Sequence, residues 1–176
     1  PALVVLAGDV GTGKSALSET IGDAVARQEH IGVTLYPLSL ATRGSGKVGE
    51  MTLLLSAAFD TVLKAAEKLR RSGGKASGGI IFLVDEADAV TQSREAAQMH
   101  HEDRAGVNAF IRGVDRLAEQ HLPVAIVLCT NRLTSIDPAV LRRAAEIFEF
   151  RRPNEAQRRA VVEEPLADLG FKKSQI

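Results

Sequence analysis

Short apolar runs, separated by longer stretches of helical spacing, organise this chain. Residues 3–7, "LVVLA", are continuous and β-branched, the pattern of a strand buried on both faces. From residue 14 to about residue 27 the apolar positions Ala16, Leu17, Ile21, Ala24 and Val25 fall on one side of a helix. Residues 32–40, "GVTLYPLSL", read as a second strand with Pro37 near its end, followed by the glycine-rich loop "ATRGSGKVGE". A long amphipathic helix is expected over 51–70, a solvated connector or a nucleic-acid contact in "RRSGGKASGG", and a third buried strand over 80–84. The polar segment "TQSREAAQMHHEDR" gives no firm pattern beyond partial helix. A helix over 105–120 and a strand over 122–128 follow, then a short helix over 138–144 and a fifth strand over 146–150. Asn154 caps a last helix over 155–169, which Pro165 bends or ends. Strands alternating with helices predict an α/β fold with a parallel sheet covered on both faces.

Composition narrows the class. The chain has 176 residues, 45% apolar and 25% charged, which suits one globular domain with its own core. Its net charge of zero argues against a whole-surface nucleic-acid binder and leaves room only for a local basic patch. A lone cysteine, Cys129, cannot form an internal disulfide and reads as a core residue. No apolar run reaches membrane-spanning length and no signal peptide is visible, so a cytoplasmic protein is expected. Pro1 in place of Met suggests a fragment of a longer chain.

The candidate chemistry begins between the first strand and the first helix. Gly8-Asp9-Val10-Gly11-Thr12-Gly13-Lys14-Ser15 fits G-x-x-x-x-G-K-[ST], in the strand–loop–helix context that the motif requires. Glycines let the backbone curl so that successive N–H groups converge on an anion, and the helix N-terminus adds positive potential. Lys14 would reach the β- and γ-phosphates, the Ser15 hydroxyl would hold Mg²⁺, and Ala16 closes the nucleotide-contacting set.

At the end of the third strand, "IIFLVDEAD", Asp85 and Glu86 stand where open parallel sheets bind ligands. Asp85 would hold Mg²⁺ and Glu86 would act as general base on the attacking water. Asp88 reads as a helix N-terminal acid favoured by the dipole. "VAIVLCTN" ends in Thr130 and Asn131; beside the first and third strands, Asn131 would orient the water, the plainer reading being a polar strand end. Arg142 and Arg143 stand before the last strand, either as solvated helix-end cations or as an arginine finger reaching a neighbouring subunit's nucleotide.

Taken in order, these motifs resemble the large α/β subdomain of an AAA+ ATPase: Walker A "GDVGTGKS", Walker B "IIFLVDEAD", sensor 1 ending "LCTN", and a second region of homology "NRLTSIDPAVLRRAAEI". The resemblance implies a P-loop NTPase with a five-stranded parallel sheet in the order 5-1-4-3-2. It assigns residues 1–152 to that subdomain and residues 153–176 to the start of a helical lid. It also implies an ATP- and Mg²⁺-dependent ATPase acting as a homo-hexamer, with Arg143 the preferred finger and Arg142 the second choice. "LRRAAEI" and "VNAFIRGVDRL" are similar to remodellers of the pachytene-checkpoint type, which unfold part of HORMA-domain proteins; a bacterial relative in an anti-phage signalling operon fits that likeness. The expected partner is therefore a protein, HORMA-like, with neither nucleic acid nor membrane.

Some positions depart from the family. Glu146 stands where many remodellers carry a further arginine, and Lys47 or Ala41 stands where a pore aromatic is usual, although Lys47 and Val48 remain able to touch substrate. His100 and His101 beside Glu102 and Asp103 lack a zinc-site spacing and read as a solvated loop or a second pore loop. Two alternatives stay open: a DNA-linked AAA+ protein of the clamp-loader or helicase-loader type, and a non-hydrolysing nucleotide-dependent scaffold. Against the first, "LRRAA" differs from the Ser-Arg-Cys usual in clamp loaders; against the second, a scaffold has no need of Glu86. A P-loop kinase is disfavoured because no phosphoacceptor site is evident.

Overall fold

The computed structural model describes residues 2–39, 49–70, 76–88 and 101–168. The loop carrying Ala41, Lys47 and Val48, most of the connector before the third strand, and His100 lie outside these residues. Five strands, β1 (Ala2–Gly8), β2 (Gly32–Ser39), β3 (Gly78–Asp85), β4 (Val124–Thr130) and β5 (Ala144–Phe150), alternate with helices α1 (Lys14–Glu29), α2 (Glu50–Glu67), α3 (His101–Glu119), α4 (Pro138–Leu141) and α5 (Glu155–Asp168). All strand pairings are parallel and the order is β2-β3-β4-β1-β5, the expected order read from the other edge. Pro37 sits inside β2 without breaking it because β2 is an edge strand. No helix among the described residues is long and apolar enough to cross a membrane.

Several boundaries move. β3 begins at Gly78 because Gly78 and Gly79 pair with Gly32 and Val33, and a side chain at Gly78 would meet the Gly32 carbonyl. β4 runs on to Thr130, and the short helix stops at Leu141 so that β5 can start at Ala144 through a register shift against β1. The last helix continues past Pro165 to Asp168.

One face of the sheet is sealed. Leu55, Phe59 and Val62 of α2 and Val107, Phe110 and Val114 of α3 pack on Val5, Phe82, Ile126 and Leu128. Phe59 stands edge-on to Phe82 and Phe110, with centroids 5.1 Å and 5.7 Å away. Gly113 of α3 lies so close to the Phe59 ring that a β-carbon there would overlap it. Gly113→Ala gains about 1 kcal/mol of helix propensity but meets an overpacking cost of about 1–3 kcal/mol, and Phe59, held by two rings, cannot yield easily. A net loss of about 1 kcal/mol, read as a lower urea midpoint, is the expected result; an unchanged midpoint would mean the ring turns aside freely.

The other face is less covered. Leu6, Ile81, Leu83, Val127 and Cys129 form a smaller cluster there. The expected apolar stripe of α1 does point toward it, yet Leu17, Ile21 and Val25 stay 39–40% exposed along an apolar cleft of about 1300 Å³ that Phe148 and Phe150 also line.

Candidate nucleotide site

The loop after β1 takes its shape from backbone conformations that side chains resist. Gly11 and Gly13 have φ of 79° and 94°, and a β-carbon on Gly8 would strike the Phe150 carbonyl of β5. Gly13 caps α1 in the left-handed region with no side-chain hydrogen bond, so the first amides of the helix stay available to an anion. Thr12 Oγ1 donates to the Asp9 carbonyl at 2.8 Å and braces the turn. Exposed Arg152, beyond β5, reaches the Asp9 carboxylate at 3.1 Å.

Lys14 is buried, and its ammonium donates to the carbonyls of Gly8 at 2.7 Å and Asp9 at 3.0 Å and to Asn131 Oδ1 at 3.1 Å. The Asn131 contact joins residues 117 positions apart, because β4 lies directly beside β1. Asp85 ends β3 and accepts the Glu86 amide on its Oδ1 at 2.8 Å. Glu86 itself is exposed and has φ of 54°, a left-handed conformation costing a non-glycine residue about 1–2 kcal/mol.

These groups share one polar cleft of about 300 Å³ at the C-terminal edge of the sheet. It brings together Val10, Gly11, Gly13, Lys14, Ser15, Ala16, Asp85, Glu86 and Asn131. Gly8, Asp9 and Thr12 build the loop behind it. Cys129 forms part of its floor, only 1% exposed and 3.3 Å from Ser18 Oγ, and burial pushes its thiol pKa up. No cluster of three or more His, Cys, Asp or Glu fit for a metal occurs among the described residues. Mg²⁺ needs no such cage, since it takes one or two protein oxygens and completes its shell with water and phosphate. Ser15 and Asp85, facing one cleft, suit that demand.

The two arginines are not brought into this cleft. Arg143 makes a bidentate ion pair with Asp115 of α3, at 2.6 Å and 2.8 Å, and donates to the Ala139 carbonyl at 2.8 Å; the Asp115 bond raises its pKa. Arg142 is exposed, with no ion-pair partner among the described residues. Sequence reasoning missed Asp115 altogether. Asp88 is helical, as expected of it, but nothing in the sequence signals that its carboxylate also accepts from Thr130 Oγ1 at 2.6 Å and the Asn131 amide at 3.1 Å. A three-residue offset from Asp85 carries no signal for that role, because the partners come from β4.

A profile of the ATPase family associated with various cellular activities (AAA) matches residues 4–152. The chain is 65% identical, over all of its 176 residues, to CD-NTase-associated protein 6 of Escherichia coli (strain MS 115-1), covering 57% of that protein. A chain in the solved structure of the E. coli MS115-1 HORMA:CdnC:Trip13 complex superposes with a TM-score of 0.87 at 64% identity, over 99% of this chain and 56% of that one. The solved Rhizobiales Trip13 superposes at 0.71 with 50% identity, over 99% of this chain and 54% of that one. This chain thus spans little more than half the length of these relatives.

Proposed function

The chain belongs to the ATPase family associated with various cellular activities, and from that membership we propose that it is the ATP-binding and ATP-hydrolysing module of an oligomeric protein-remodelling machine. The observation that carries this reading is the convergence of Lys14, the Asp85–Glu86 pair and Asn131 on one cleft. On ATP binding, the Lys14 ammonium exchanges carbonyl partners for phosphate oxygens, while the loop amides hold the rest of the triphosphate. Ser15 and Asp85 would hold Mg²⁺, which would supply positive charge to offset that of the phosphates. Glu86 takes the proton of the attacking water, and Asn131 holds that water in line.

The finger comes from a neighbouring subunit of a homo-hexamer. Arg143 spends its guanidinium on Asp115 within its own subunit, so Arg142, exposed beside it, is the better candidate. Residues 1–152 form the nucleotide-binding subdomain, and residues 153–176 begin the helical lid. The substrate is a HORMA-like protein and the setting cytoplasmic. The likeness to a chain of the solved HORMA:CdnC:Trip13 complex supports a HORMA-containing setting, and the relatives do not favour the DNA-linked alternative.

The test is ATP hydrolysis by the full-length protein, alone and with a HORMA-domain protein added. Stimulated turnover supports the reading, and absence of turnover under both conditions counts against it. Subunit mixing tests the finger. Arg142→Ala alone should lose about 10³-fold in turnover, and mixing it with Lys14→Ala subunits should restore part of it. Complementation by Arg143→Ala, with Arg142→Ala fully active, would reverse the order of the two arginines.

A further inference from the structure

We propose that Asp88 is a positioning residue for hydrolysis, fastening the turn that carries Glu86 to the strand end that carries Asn131. The proposal rests on reading the cleft as an ATPase site. The β3–β4 ladder ends at the pair Val84↔Leu128, yet Glu86 and Asn131 both lie beyond it. Past that point the bonds that join the two segments among the described residues include three: the Ala87 amide to the Cys129 carbonyl at 3.0 Å, and the Asp88 contacts to Thr130 and Asn131. Asp88 therefore supplies two of them, one through each carboxylate oxygen.

The 2.6 Å hydroxyl–carboxylate contact is a strong, charge-assisted bond. Thr130 Oγ1 also accepts the Arg132 amide at 3.0 Å, which commits the hydroxyl proton to Asp88. With the Asn131 amide fixed by Oδ2, the side chain of Asn131 can meet Lys14. On the other strand, Glu86 holds a strained left-handed conformation two residues before the clasp. Such a conformation persists only where neighbouring contacts over-determine it, and the bonds at Ala87 and Asp88 are those contacts. Asp88 does not line the cleft itself, so it acts through Asn131 and Glu86 and not on the phosphates.

The consequence is a split between turnover and affinity. In the full-length protein, Asp88→Ala should lower kcat by about 10- to 100-fold, because small misplacement of reacting groups carries that cost. KM and the Kd of a fluorescent ATP analogue should stay within about threefold, since the loop and Lys14 still grip the phosphates. Asp88→Asn retains one acceptor and should recover part of the lost kcat. Thr130→Val removes one arm, and the Asp88→Ala/Thr130→Val double variant should be no slower than Asp88→Ala alone, as expected for groups acting as a unit. Wild-type kcat in Asp88→Ala overturns the proposal. So does parallel loss of kcat, affinity and thermal stability, or an Asn variant no better than the Ala variant. If the unaltered protein hydrolyses ATP, each of these failures belongs to Asp88 alone; if it does not, the ATPase reading fails and takes this proposal with it.

Discussion

Lys14→Ala should weaken ATP binding by the full-length protein by at least about 30-fold while leaving it folded. The ammonium is buried and held by three oxygens, a pre-oriented cation at the place where the terminal phosphates would sit. Removing one partner of a buried, hydrogen-bonded charge pair costs about 2–5 kcal/mol, which is roughly a 30- to 4000-fold loss of affinity. Hydrolysis falls further, because the same charge faces the phosphoryl group in flight. Stability moves little, since the desolvation penalty of a buried cation disappears together with its bonds. Lys14→Arg should fail as well: a planar fork cannot take the place of a compact ammonium among these three oxygens. Titration calorimetry with the melting temperature as control decides the matter. An alanine variant that binds ATP as the unaltered protein does removes the loop assignment.

What the sequence disclosed, and what it withheld, divides along a physical line. The place and shape of the loop after β1 were legible because their pattern is local: glycines, lysine and serine at fixed offsets between a strand and a helix. The acid pair was legible from its position at a strand end, and the expected strand order agrees with the sheet. The Lys14–Asn131 contact depended on β4 lying beside β1. That neighbourhood followed from the resemblance and was not readable from either residue.

The contacts that escaped notice are those made across elements distant in sequence. Asp88 was read by its own helix, but its partners are Thr130 and Asn131 at the end of β4. Arg143 was preferred over Arg142, but Asp115 lies 28 residues earlier on α3, and a pair at that separation has no local signature. The stripe on α1 shows a third limit. Its periodicity identified the helix and the face correctly, but periodicity says nothing about how fully that face is covered.

Glu86→Gln should separate binding from chemistry. Glutamine keeps the shape of the side chain and the left-handed backbone, and it leaves Lys14, Ser15 and Asp85 untouched, so ATP affinity should hold. It cannot accept the proton of the attacking water. Loss of a general base lowers turnover by about 10²–10⁴-fold, and single-turnover kinetics with radiolabelled ATP would read it directly. The variant should also hold the oligomer together, because ATP stays bound. Glu86→Gly sharpens the test, for glycine releases the strain at φ of 54°. It should gain about 1 kcal/mol of stability even as hydrolysis is lost, the opposite signs expected where a strained residue serves chemistry. If the glutamine variant turned over ATP at the unaltered rate, Glu86 would lose its role, and the strained turn after β3 would stand without a functional reason.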